Sequence, residues 1–140
     1  MYSKIYSAGI SGIDGFIITV ECSARNKIPG FELVGLPDAA VKEAKERVRN
    51  ACVNSGVVFP SLLLTVNLAP ADKKKEGSAL DLPILLSILH AGAVIRPERD
   101  LSQKCFIGEL SLSGELRGVR GALSMCVAAK KAGFKEFYVP

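Results

Sequence analysis

Lys73-Lys74-Lys75-Glu76, preceded by Asp72, is the densest run of charge in this chain of 140 residues. Clustered ammonium groups neutralise phosphate, so one chemistry open to such a loop is contact with a nucleic-acid backbone. The other reading is a solvated loop, because Asp72 and Glu76 dilute the charge. Arg117 and Arg120 flank the glycines of a later segment and could extend a basic surface. Groups for other chemistry are sparse. Cys22, Cys52, Cys105 and Cys126 stand far apart among apolar neighbours, with no C-x-x-C pair and a single histidine, His90. They read as reduced, mostly buried thiols of a cytosolic protein, not as zinc or haem ligands. Gly9, Gly12 and Gly15 fit neither phosphate-loop spacing, and no G-x-x-x-x-G-K-[ST] occurs anywhere, so the chain has no nucleotide-hydrolysing loop of its own. His90 alone is read as a packing or surface residue, and no pair of carboxylates stands at a glycosidase or metal spacing.

The bulk numbers set the frame. Hydrophobic residues make up 49% of the chain and the mean hydropathy is +0.27, which excludes disorder. A net charge of +4 permits an acidic partner without demanding one. The chain is long enough for one domain with its own core. No apolar run approaches a membrane span, and the first residues do not form a signal peptide.

Alternating segments Ser3 to Ile10 and Phe16 to Ser23, joined by Gly12 and Asp14, predict a hairpin; Phe31 to Val34 is a third strand. Pro37 to Asn54 reads as one helix, with Val41, Ala44, Val48 and Cys52 facing the core. Lys42, Glu43, Arg47 and Arg49 lie on its charged face, solvated or available to another subunit, with Glu43 and Arg47 paired. Leu62 to Ala69 is an interior strand. Asn67 near its end, with Asp72 and Asp81, is expected to anchor the adjoining loops. Asp81 can cap the next helix, which carries Pro83 in its first turn and ends near Ala91; a start at Ser78 stays open. A strand Lys104 to Ile107, a hairpin, a helix Ala122 to Ala132 and a strand Phe137 to Val139 complete the order βββαβαββαβ, an α/β (α+β) fold with a mixed sheet and about three helices.

Val34-Gly35-Leu36-Pro37-Asp38, Val41-Lys42-Glu43-Ala44, Thr65-Val66-Asn67-Leu68-Ala69-Pro70-Ala71-Asp72, Lys75-Glu76-Gly77, Asp81-Leu82-Pro83 and Gly108-Glu109-Leu110-Ser111 follow one another in that order. Together they resemble the N-terminal domain of the magnesium-chelatase-like AAA+ ATPases of the ComM/YifB type. Ser78 departs from the proline usual there. The resemblance implies a fold like that of the Lon peptidase domain and of ribosomal-protein domain 2. The whole of residues 1–140 would be one such domain, ahead of an AAA+ motor expected beyond residue 140. It further implies ATP and magnesium for the full-length protein but no cofactor or metal for this fragment, a homo-hexameric ring, DNA as a possible partner, and no membrane.

Set against Lon-type peptidases, Glu76-Gly77-Ser78-Ala79-Leu80-Asp81 places Ala79 where the attacking serine stands, and Met125 where its lysine stands. Neither side chain can attack a carbonyl or take a proton. The resemblance therefore implies a degenerate dyad, as in the Lon-like domain of bacterial RadA. It implies an accessory domain serving ring assembly and DNA contact in branch migration and natural transformation. A docking module without DNA contact, and a serine peptidase using Ser78 with Lys74 or Lys130, are the alternatives.

Overall fold

The computed structural model describes residues 1–140. Strands β1 (Tyr2–Ser11) and β2 (Asp14–Arg25) form the expected hairpin, paired from Tyr2 opposite Ser23 to Ser11 opposite Asp14. β3 (Gly30–Val34) runs parallel to β4 (Leu63–Ala69), and β4 pairs antiparallel with β2. β5 (Lys104–Phe106) and β8 (Glu136–Tyr138) extend the sheet beyond β1, both parallel. The result is a six-stranded mixed sheet in the order β3-β4-β2-β1-β5-β8. The late hairpin makes two short strands, β6 (Glu109–Leu110) and β7 (Leu116–Arg117), which pair with each other apart from the main sheet. The region between the core helix and the last helix thus holds one strand more than the sequence pattern predicts.

The expected helix Pro37 to Asn54 is two pieces, α1 (Ala39–Lys42) and α2 (Ala44–Asn54), meeting at Glu43. Pro37 stays outside, in a bridge to Lys75, and Asp38 caps α1 by accepting the Val41 amide at 2.7 Å. The break has a visible cause. The Ala40 carbonyl, which a continuous helix would bond within itself, accepts instead from Arg47 Nη2 at 2.9 Å. Val41, Ala44, Val48 and Cys52 are buried, as the periodicity requires.

Alternation of side chains along β1 and β2 splits the core into two layers. Ile18, Val20, Cys22 and Ala24 of β2 meet Leu64, Val66 and Leu68 of β4 under α1, α2 and α3 (Asp81–Ala91). On the other face, Ala8 and Cys105 meet Met125 and Ala129 of α4 (Ala122–Lys131). Asn67 is not a loop anchor. It lies opposite Glu21 in the β2–β4 register and donates to Glu21 Oε1 at 3.1 Å, so a cross-strand partner satisfies its amide. Asp72 is exposed and makes no side-chain hydrogen bond, so it anchors nothing either. All four cysteines are free, three of them buried.

Gly35 shows how tightly the β3–α1 turn approaches the sheet. Its φ is +105°, and a Cβ there would lie 2.2 Å from the Leu68 carbonyl oxygen. Gly35→Ala should cost about 3 kcal/mol or more, lowering Tm by about 10 °C. Gly118→Ala, where an added Cβ meets nothing within 4 Å, should leave Tm unchanged. Thermal melts of the two variants beside the parent check both.

Candidate functional site

The two positions expected to hold a lost dyad come together. Ala79 is 5% and Met125 3% exposed, both belong to the smaller core layer, and both line one cleft of about 370 Å³. Ile10 and Val119 add apolar wall; Asp38, Ala40, Glu76, Gly77, Ser78 and Arg120 complete it. No lysine or histidine is among these residues, so Ser78, half-buried in the cleft, has neither amine nor imidazole in the lining, where the proton acceptors are the Asp38 and Glu76 carboxylates. Lys74 and Lys130 are exposed elsewhere.

Local chemistry explains why the cleft has this shape. Gly121 sits at the start of α4 with φ +81°, and a Cβ there would strike Ile10 Cδ1 at 2.8 Å. Only glycine lets the hairpin exit turn onto β1 and deliver Met125 to the floor. On the opposite wall, Asp38 Oδ1 caps α1 while Oδ2 accepts the Gly77 amide at 3.3 Å. One carboxylate thus ties two loops.

Asp81 differs from the sequence expectation. It is the first residue of α3 and caps nothing; the cap position is Leu80, with no side-chain hydrogen bond. Its carboxylate, 1% exposed, instead receives Arg47 Nε at 2.7 Å and Nη2 at 3.0 Å, and the Leu110 amide at 3.1 Å. Arg47 is therefore no solvated or subunit-facing cation, although its expected contact with Glu43 exists at 3.4 Å. Its position three residues after Ala44, at the edge of the buried stripe, was the available signal. Burial pushes the Asp81 carboxyl above its ordinary value, outweighing the opposing pull of Arg47 and the Leu110 amide. The bond to Asp81 in turn holds the Arg47 guanidinium above its own usual value.

The basic loop also divides. Lys73 and Lys74 are exposed, and Lys73 Nζ sits 4.6 Å from the Phe16 ring centre. Lys75 is fully buried. Its amide donates to the Leu36 carbonyl and its own carbonyl accepts from Asp38 N, both at 2.9 Å, while Nζ donates to the Pro70 carbonyl. This lysine fastens the loop and offers nothing to a partner. Burial lowers its pKa below the usual 10.5, against the pull of Asp72. Arg120 stands on the cleft rim beside Glu76 and Gly77, whereas Arg117 is exposed on β7 and does not line the cleft. Lys42 and Arg49 remain exposed on the helix surface, with Arg49 5.4 Å from the centre of the Phe59 ring.

Lys75 gives a sharp test. Lys73→Glu and Lys74→Glu should leave Tm unchanged, and Lys75→Glu should cost about 3 kcal/mol or more by setting a buried carboxylate against a carbonyl. The pH dependence has a definite sign. A lysine whose folded pKa is lowered binds fewer protons folded than unfolded. Stability of the parent relative to Lys75→Met should therefore rise as pH climbs toward 10.5. Melts from neutral to alkaline pH measure that difference.

No helix is long and apolar enough to cross a membrane. Against known proteins, YifB of Escherichia coli is 43% identical over 133 residues, covering 95% of this chain and 26% of YifB. The competence protein ComM of Haemophilus influenzae is 44% identical over 128 residues, covering 91% of this chain and 25% of ComM. The DNA repair protein RadA of Listeria monocytogenes is 36% identical over 67 residues, 48% of this chain and 14% of RadA. The chain thus spans about a quarter of the length of its full-span relatives. The family model described as subunit ChlI of Mg-chelatase matches residues 20–140, which takes in every residue lining the Ala79–Met125 cleft except Ile10, and the chain belongs to that family.

Proposed function

We propose that this domain is a non-catalytic accessory module of a ComM/YifB-type AAA+ ATPase, serving ring assembly and DNA contact in a DNA-processing motor. One observation carries the non-catalytic half: Ala79 and Met125 meet in a cleft with no amine or imidazole beside Ser78. The cleft keeps a pocket's shape and lacks a serine–lysine or serine–histidine pair. In this reading ATP and magnesium belong to a motor beyond residue 140, and the assembled protein is a cytoplasmic hexamer that promotes branch migration during transformation. The relatives support it through their names, one a competence protein and another a DNA repair protein.

The DNA-facing surface in this proposal is Lys73, Lys74 and Arg120, with Arg117 close to Arg120 in sequence, on the hairpin. Lys75 is excluded by its burial. Lys42 and Arg49 are the cations left for a subunit contact. A second reading, a protein-docking module with no DNA contact, draws on α4. Its outward face carries Leu123 at 79% and Val127 at 44% exposure beside Ile13 at 89%, around a groove of about 440 Å³. Exposed apolar side chains so grouped are what a protein partner covers.

DNA titration of the full-length motor across a salt series separates the two. The Lys73→Glu/Lys74→Glu/Arg120→Glu variant should lose affinity for duplex DNA. Its slope of log affinity against log salt should flatten by about 0.9 for each phosphate contact removed. Unchanged affinity and slope would leave the docking-module reading standing.

A further inference from the structure

A second cleft lies toward the other end of β1, lined there by Tyr2, Lys4 and Tyr6 where the first takes Ile10. β5 meets β1 only at Tyr6 opposite Cys105, so the first residues of β1 run on past it and leave a gap. The loop from Pro97 to Ser102 and the end of α3 close this gap into a cleft of about 370 Å³. Its lining includes Tyr2, Lys4, Tyr6, His90, Arg99 and Asp100.

The cations of this cleft stand outside every close ion pair, although Glu136, whose carboxyl Lys104 and Tyr138 hold below its usual value, also feels the charge of Arg99. Glu21, opposite Lys4 in the hairpin register, is the carboxylate that should pair with it. Its oxygens accept from Tyr2 Oη at 2.7 Å and from Asn67 Nδ2 at 3.1 Å, and no hydrogen bond or ion pair joins it to Lys4. Neither Lys4 nor Arg99 takes part in any of the three ion pairs. Asp100, the one carboxylate in the lining, accepts from the Ser102 amide at 3.0 Å and from Ser102 Oγ at 2.6 Å. His90, at the end of α3, lines the cleft, while its Nδ1 is sequestered from solvent without a hydrogen-bond partner. The aromatic component is equally specific. Tyr6 is fixed by Phe134, ring centres 5.2 Å apart, while Tyr2 is 59% exposed.

Two cations beside an exposed planar ring, in a space the size of one small ligand, suit a phosphate ester attached to a flat base. We propose that this cleft holds one nucleotide unit of single-stranded DNA, with its phosphate on Lys4 and Arg99 and its base against Tyr2. The choice of DNA as the carrier rests on the reading of the domain as part of a DNA motor. The chemistry shared with a free nucleotide is the phosphate and the base. The site is separate from the Lys73, Lys74 and Arg120 surface, so the two can fail independently.

The test is fluorescence anisotropy of a labelled twelve-nucleotide oligothymidylate with the full-length protein across a salt series. Lys4→Glu/Arg99→Glu should weaken binding at least tenfold and flatten the salt slope by about 0.7, the one phosphate of a single strand that the pair neutralises. Tyr2→Ala should weaken binding about tenfold with the slope unchanged, since stacking carries no counterion. Thermal melts verify that these surface variants remain folded. Thymidine monophosphate should compete weakly and shift the His90 imidazole resonances, whereas polyglutamate at equal charge should not compete. Parent-like affinity and slope in Lys4→Glu/Arg99→Glu, with loss only in Lys73→Glu/Lys74→Glu/Arg120→Glu, would overturn the cleft and keep the DNA reading. Full competition by polyglutamate would overturn it in favour of an acidic peptide, tighter binding of the monophosphate than of the oligomer in favour of a free nucleotide. Absence of any DNA binding by the parent would overturn both proposals together.

Discussion

The buried carboxylate of Asp81 is the constraint from which the rest of this architecture is arranged. It stands at the first turn of α3, takes Arg47 of α2 through two nitrogens and binds the amide of Leu110 on β6. Three elements from separate parts of the chain therefore meet on one side chain. Because burial raises the Asp81 pKa, ionisation of the carboxylate in the fold carries a net cost, even with Arg47 in place. For such a group, stability is fully present below the unfolded pKa and is lost as pH rises through the folded one. The pair thus orders the fold more than it strengthens it, in keeping with buried ion pairs elsewhere, whose disruption on one side alone costs about 3–5 kcal/mol. Asn54 reinforces the arrangement by donating to the Leu112 carbonyl at 2.8 Å, which holds the hairpin tip against the end of α2.

With the hairpin fixed in this way, the chain must return across Gly121 into α4, and Met125 arrives facing Ala79. On the other side, Asp38 and the buried Lys75 hold the loop that carries Gly77 and Ser78. The cleft is thus bounded by polar supports around an apolar floor of Ala79 and Met125. Ser78 shares the cleft but sits one residue from the floor position, with the guanidinium of Arg120 as the only basic group in the lining. A guanidinium stays protonated and cannot serve as the base such a serine would need.

Much of this was legible in the residues. Period-two alternation located the β1–β2 hairpin and β4, and the Val41, Ala44, Val48 and Cys52 spacing gave the buried face of α1 and α2. The family resemblance placed Ala79 and Met125 at paired positions before any geometry was known. What could not be read was the use of polar groups across long sequence separations. Arg47 and Asp81 are 34 residues apart and Asn67 and Glu21 are 46 apart. Helix periodicity and capping rules see only local neighbours, so they assigned Arg47 to solvent, Asp81 to a cap and Asn67 to a loop. Lys75 failed for a related reason. In a run of three identical lysines, nothing local distinguishes the one whose backbone bridges to Leu36 and Asp38. The second cleft is assembled from β1, the end of α3 and a loop near residue 100, a juxtaposition that only the fold creates.

Whether the Ala79–Met125 cleft is free of an activated nucleophile, as proposed, is read out by covalent labelling with a fluorophosphonate followed by intact mass. An activated serine captures this reagent stoichiometrically in minutes, and an ordinary surface serine does not. A cleft without such a group should leave the mass unmodified after prolonged exposure, with identical spectra for the parent and Ser78→Ala. A single adduct on the parent that is absent from Ser78→Ala would contradict the proposal.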